Sequence, residues 1–219
     1  MIPIDSTRGL VFTENSKIYT LSSNPGVRVY GEKLNKVSGL EYREWDPRRS
    51  KLSAYIKMGG KCFPFKTNSN VLYLGASSGT TASHISDILT EGKIYCVEFS
   101  PRMFRDLVKT CAPRDNMVPI LGDATSPEEY GFAIDGIDIV YSDVAQKKQA
   151  DIIADNFESH NAKYGVVAIK ARSEDVTADP ATVYRMAENR LKERGFHILE
   201  SIDLEPYENA HRMIVFKRP

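Results

Sequence analysis

Three carboxylates stand at matching places in this chain. "KIYCVE" ends in Glu98, "LGDAT" carries Asp123 directly after an apolar run, and "IDIVYSD" ends in Asp143. A charge at the mouth of a buried strand is costly unless something partners it. Two lysines are available: Lys170, the last residue of "GVVAIK", and Lys51, in "RRSKLSAYI". Ammonium groups so placed can orient a hydroxyl, stabilise a developing alkoxide or accept its proton. Brought close together and partly desolvated, they also hold their protons less tightly.

The first apolar run is followed by "GASSGTTASH". Gly75 and Gly79 let the backbone turn tightly and approach a ligand, and the helix start offers unpaired N–H groups. The pattern is G-x-x-x-G rather than the G-x-G-x-x-G of dinucleotide folds. Glu98 lies 23 residues beyond Gly75, the place from which a carboxylate accepts from ribose hydroxyls. Asp123 is placed to receive an adenine amino proton. Three carboxylates with no basic phosphate clamp argue against a pyrophosphate. They suit a ligand with ribose, adenine and positive charge, and S-adenosylmethionine has all three. Helix-end amides would face its carboxylate. The cofactor-site candidates are Gly75, Ala76, Gly79, Thr80, Thr81, Glu98, Phe99, Asp123, Ala124, Asp143 and Gln146, with Gln149 as a further one.

Elements that could position these groups are legible from residue 70 onward. Strand-like runs at 71–75, 93–98, 117–121, 137–143 and 165–170 alternate with helical stretches starting near Gly79, Pro101, Lys147 and Pro180. Nearly continuous apolar strands separated by helices imply a parallel sheet covered on both faces. "FHILESIDL" and "RMIVFKRP" are separated only by "EPYENAH", which permits an antiparallel hairpin. The expected fold is α/β: a Rossmann-like, seven-stranded, mostly parallel sheet ending in an antiparallel strand. Ahead of it, residues 1–45 alternate in short runs broken by Asn24-Pro25-Gly26 and Gly31, as in a small antiparallel β domain. Residues 46–219 form the second unit, opening with a helix over 47–59. Asp46 is expected to cap that helix, Pro47 to fit its first turn and Gly59-Gly60 to end it.

The totals bound the function. At 219 residues, 42% hydrophobic and 26% charged, the chain can bury a sizeable core. No apolar run approaches the roughly 20 residues of a membrane span, and no signal-peptide pattern opens the chain, so it reads as cytoplasmic. Cys62, Cys96 and Cys111 lack CxxC or HxxxH company and read as plain thiols, with no metal site. Net charge is zero, but residues 1–69 hold 12 Lys and Arg against 6 Asp and Glu. That basic front, with "DPRRSK", fits contact with something anionic. A protein gripping RNA alone would be more basic. Tyr42, Arg43, Arg48 and Arg49 are candidate contacts to RNA or a partner protein, although Tyr42 could equally pack the small domain. His84 and His160 fall on helices and His197 starts a strand, and none is given a role.

Taken together, "EYREWDPRRSKLSAYI", "VLYLGASSGTTASHISDI", "YSDVAQKKQ", "AIKAR" and "PYENAH" resemble fibrillarin, the S-adenosylmethionine-dependent RNA 2′-O-methyltransferase of box C/D ribonucleoproteins. The likeness runs from about residue 8 to the C-terminus and looks like the archaeal form, without a Gly/Arg-rich extension. It implies a methyltransferase domain behind a small β domain, acting on rRNA and tRNA nucleotides chosen by a box C/D guide RNA. The implied partners are a Nop-domain scaffold protein and a kink-turn-binding protein. Enzymes acting on 2′-OH groups commonly use a Lys-Asp-Lys-Glu tetrad. Lys51, Asp143 and Lys170 fit its first three members, and the resemblance puts His211 in the fourth place, with Lys170 as the base or orienting group.

Other readings remain at this level. A nicotinamide-dependent oxidoreductase lacks its glycine signature here. A base methyltransferase would use an Asn-Pro-Pro-aromatic or Pro-Cys motif, and neither is present. A protein glutamine methyltransferase, an activity attributed to eukaryotic relatives, needs the same cofactor. A non-enzymatic assembly factor would not need both lysines.

Overall fold

In the computed structural model, which describes residues 1–134 and 136–219, the alternating runs close into two sheets. The first is wholly antiparallel. Its strands are β1 (Ile2–Pro3), β2 (Phe12–Glu14), β3 (Lys17–Leu21), β4 (Leu34–Val37) and β5 (Leu40–Glu44), in the order β1-β2-β3-β5-β4. A short helix comes next, α1 (Lys51–Lys57).

Beyond it lie β6 (Val71–Leu74), α2 (Thr80–Ile88), β7 (Ile94–Glu98), α3 (Pro101–Cys111), β8 (Met117–Leu121) and β9 (Ile139–Ser142). The chain finishes with α4 (Gln149–Ser159), β10 (Tyr164–Lys170), α5 (Ala171–Glu174), α6 (Pro180–Glu193), β11 (His197–Asp203) and β12 (His211–Lys217). The second sheet has seven strands in the order β11-β12-β10-β9-β6-β7-β8. All its pairings are parallel except those of β12, which runs against both β10 and β11. The short "EPYENAH" link thus closes the antiparallel hairpin that its length allows.

Both faces of this sheet are buried because its strands are apolar on both sides. Along β6, Val71 and Tyr73 enter one core with Trp45, Tyr55 and Phe65, while Leu72 and Leu74 enter the other with Phe157 and Phe216. From β6 the chain steps outward to β7 and β8, whereas β9 and β10 build on the opposite side. The strand order therefore reverses between β6 and β9. The carboxyl ends of these two strands flank the crevice where such sheets bind ligands.

The helix expected over 47–59 is shorter, beginning at Lys51. Asp46 does not cap it. Its carboxylate accepts from Arg48 N at 2.8 Å, folding residues 46–49 into a separate turn. Ser50 is the cap instead, its hydroxyl accepting from Ser53 N.

Arg43 is also not where its residue type suggests. It is fully buried, donating from Nε and Nη2 to Glu32 Oε1 at 2.9 and 2.6 Å and from Nη1 to Asp87 Oδ2 at 2.7 Å. Arg114 donates to the other oxygen of Asp87 at 2.8 Å. Burial alone would raise the Asp87 pKa, but the two guanidinium groups outweigh it and hold it lowered. These contacts fasten the small sheet onto α2, so Arg43 is unavailable to RNA or a partner. Tyr42 is buried as well, its ring edge-on to Phe12 at 5.1 Å.

Candidate active site

The segments that leave the carboxyl ends of β6, β7, β8, β9 and β10 build the site. After β6, Gly75 takes φ +76°, and a side chain there would come within 3.0 Å of the Asp143 carbonyl oxygen. Only glycine lets the β6 and β9 ends approach so closely. Gly79, at φ +90°, starts α2, and a Cβ on it would press against Thr110 at 2.8 Å. Glu98 braces this loop. Its carboxylate oxygens accept from Ser77 N and Ser100 N, each at 2.8 Å. Each oxygen retains a lone pair for a hydroxyl.

Asp143 lies between the two lysines. Lys170 Nζ stands 3.0 Å from Asp143 Oδ1 and donates to its backbone carbonyl at 2.8 Å. Lys51 Nζ lies 3.2 Å from Oδ1 and 3.3 Å from Oδ2. One carboxylate thus offsets the repulsion of two ammonium groups and leaves a net positive charge. The three side chains are 13–17% exposed, so the cluster is half-desolvated but open. His211 is the register partner of Lys170 across the β10–β12 pair. Its Nδ1 sits 2.6 Å from the Asn209 carbonyl, so the ring proton is assigned to Nδ1 and Nε2 carries the lone pair. Burial lowers its pKa, and the Lys51 charge adds to that.

Two openings meet at this cluster. A cleft of about 350 Å³ is lined by Gly75, Ser77, Val97, Glu98, Phe99, Gly122, Ala124, Asp143, Val144, Ala145, Gln146 and Lys170. A groove of about 430 Å³ holds Arg48, Arg49, Lys51, Ala76, Thr80, Thr81 and Glu208. Gly75, Ser77 and Asp143 border both. Arg48 and Arg49 are exposed on the groove's rim.

The structure therefore brings together most residues singled out from the sequence, with two differences. Asp123 reaches the cleft indirectly: its Oδ1 accepts from Thr125 N at 2.9 Å and lies 3.4 Å from the Gln146 amide. The Thr125 bond holds its pKa lowered. Gln149 is fully buried and clasps the backbone of Lys170, so it fixes the strand end instead of facing ligand. Thr81 lines the groove and also donates its hydroxyl to Ser50 Oγ at 2.9 Å. Ser77, Glu208 and the Val144–Ala145 pair were missed. Val144 and Ala145 directly continue "YSD", so position alone could have flagged them.

Among the described residues no His, Cys, Asp or Glu group is arranged to hold a metal. No described helix is long and apolar enough to cross a membrane.

A sequence model of fibrillarin matches residues 8–219. A fibrillarin-like rRNA/tRNA 2′-O-methyltransferase of Methanopyrus kandleri is 54% identical over 194 residues, 87% of this chain and 84% of that protein. The crystal structure of Aeropyrum pernix fibrillarin with natively bound S-adenosyl-L-methionine superposes with a TM-score of 0.85 at 45% identity, covering 91% of this chain and 88% of that one. A fibrillarin/Nop5p complex matches with a TM-score of 0.88 at 37% identity, covering 96% of this chain and 98% of that one. Fold, glycine loop and family match agree: this chain belongs to the fibrillarin family.

Proposed function

We propose that this chain is an S-adenosylmethionine-dependent ribose 2′-O-methyltransferase of rRNA and tRNA, working as the catalytic subunit of a guide-RNA-directed box C/D assembly. The observation that carries this reading is the Lys51–Asp143–Lys170 cluster where cleft and groove meet. A ribose hydroxyl is a very weak acid, and a half-buried cluster of net positive charge is what a developing alkoxide requires.

The cleft fits the cofactor by its donor set. Its polar lining is Ser77, Glu98, Asp143, Gln146 and Lys170, rich in acceptors and poor in phosphate-binding cations. Gly75 through Ser77 would hold the cofactor against the β6–β9 crevice, Glu98 would take the ribose hydroxyls, and Phe99 and Ala124 would flank the adenine. Bound there, S-adenosylmethionine supplies an electrophilic methyl group on a sulfonium.

The protein's own residues do the rest. Lys170 already donates to the Asp143 carbonyl and stands 3.0 Å from its carboxylate, so as an ammonium it orients the incoming hydroxyl oxygen and stabilises its negative charge. Lys51 approaches the same carboxylate from α1, on the groove side. Neutral His211, with a free lone pair on Nε2, is the acceptor available for the hydroxyl proton. Arg48 and Arg49 would steer the RNA backbone into the groove. Net charge is zero, so firm RNA binding is left to the assembly: guide RNA, a Nop-domain scaffold and a kink-turn-binding protein. The fibrillarin/Nop5p complex among the relatives supports such a scaffold.

Reconstitution with guide RNA, scaffold, kink-turn-binding protein and methyl-labelled S-adenosylmethionine tests this reading. The guided nucleotide should take label, and the same substrate with 2′-deoxyribose at that position should take none. Equal labelling of both would remove the 2′-O assignment.

A further inference from the structure

One buried contact joins the two halves of the site. Thr81 stands in the first turn of α2, directly after the glycine loop, and is 5% exposed. Its hydroxyl donates to Ser50 Oγ at 2.9 Å. Ser50 is 2% exposed and caps α1, and the residue after it is Lys51. The cap bond itself is long, 3.4 Å to Ser53 N, so it holds the start of α1 only loosely. A buried hydroxyl must find partners, and this one ties α2 to the start of α1.

We infer that Thr81 is a positioning residue of the methyl-transfer site: through Ser50 it sets where the Lys51 ammonium lies relative to Asp143. The inference rests on the function proposed above. Its logic is geometric. Helix α1 has only seven residues, so its place is set by the groups that grip its ends. Ser53 Oγ donating to the Trp45 carbonyl at 2.7 Å and the Thr81–Ser50 bond are the polar grips at its N-terminal end. Of the two, the Thr81 bond alone comes from the helix after the glycine loop. A lysine reaching Asp143 at 3.2 Å from such a helix loses its alignment if the helix start drifts, and a misplacement of about 1 Å can cost about 100-fold in rate. Thr81 also lines the groove, so its link to Ser50 joins the groove wall directly to the start of α1.

The test compares Thr81→Val, which keeps the shape and loses the hydroxyl, with Thr81→Ser, which keeps the hydroxyl. Both are measured in the reconstituted assembly for kcat, for affinity to S-adenosylhomocysteine by calorimetry, and for Tm. Thr81→Val should lower kcat about 10-fold while cofactor-product affinity changes less than about 3-fold, and Thr81→Ser should recover most of the loss. In a Lys51→Ala background Thr81→Val should cost nothing further, because the group it positions is gone. Ser50→Gly retains most of the capping and removes the acceptor, so it should reproduce the same pattern even if Thr81→Val folds poorly. Effects of Thr81→Val and Lys51→Ala that multiply, an unchanged kcat, or a loss of product affinity at unchanged kcat would each overturn the inference. A wild-type assembly that transfers no methyl group overturns the underlying function, and the inference with it.

Discussion

Two charge clusters lie at the two ends of α2, built on opposite principles. At its far end Glu32, Arg43, Asp87 and Arg114 are all buried, two guanidinium groups against two carboxylates. At its near end Lys51 and Lys170 share the single carboxylate of Asp143, half-open to solvent. Arginine suits the first role because its rigid fork holds carboxylates from several directions and never loses its charge. Lysine suits the second because its ammonium is compact, mobile on its stem and able to turn toward a new acceptor. The balanced cluster has no surplus charge to offer a ligand. The unbalanced one keeps a surplus charge where a hydroxyl would arrive. Burial and stoichiometry, rather than the mere presence of an ion pair, separate an architectural cluster from a reactive one.

Substitutions can break that distinction, beginning with the largest effect. Asp87→Ala leaves Arg43 and Arg114 buried without their shared carboxylate. Removing one partner of a buried ion pair costs about 3–5 kcal/mol, so chemical denaturation should show a loss of that size. Lys170→Ala should do the reverse. Methyl transfer should fall about 100- to 1,000-fold, with Tm and S-adenosylhomocysteine affinity nearly kept. If Lys170→Ala assembles, binds cofactor and still methylates at the full rate, its assigned role is wrong.

The histidines sharpen the comparison through pH. His84 is fully buried beside the inert cluster, and Trp45 stacks on its ring at 4.8 Å. Thr20 donates its hydroxyl proton to Asp87, so His84 Nδ1 donates to Thr20, and Nε2 lies 2.8 Å from the Tyr30 hydroxyl, which also reaches the Glu44 carbonyl at 2.8 Å. Burial, then the charges of Arg43 and Arg114, push its pKa well below 6.5. The unfolded chain therefore binds a proton that the folded chain refuses. This stability is fully present above about pH 6.5 and falls by up to about 1.4 kcal/mol per pH unit below it, a slope that His84→Gln should flatten. His211, also lowered, should instead govern activity. The acid limb of kcat/KM should fall below the ordinary histidine value and vanish in His211→Gln. The smallest effect belongs to the surface. Arg194 bridges Asp155 at 2.9 Å and Glu158 at 2.8 Å, yet Arg194→Ala should cost less than about 1 kcal/mol and lose even that in high salt.

Much of this was legible in the chain. The strand runs, the glycine loop and the carboxylates at consecutive strand ends are local patterns, and a parallel sheet turns equal strand positions into neighbours. Arg43 was misread for the opposite reason. An arginine in "EYRE" looks solvent-exposed until Asp87, 44 residues later, is brought against it. Gln149 carries the same lesson: a polar side chain near a site reads as a ligand contact until its protein partner is known. The start of α1 was misplaced because Asp46 and Ser50 are both good caps, and only the turn at 46–49 chooses between them.

By itself the sequence determined the α/β alternation, the antiparallel hairpin at the end, the family, and the residue types at the mouth of the sheet. These come from periodicity and from motifs whose members lie close together. The tertiary structure alone decided that two lysines from distant segments share one carboxylate, and that Arg43 is buried while Arg48 and Arg49 are not. It also decided that Thr81 reaches Ser50. Each of these depends on which distant groups meet and how much water is left between them, and no local pattern encodes that.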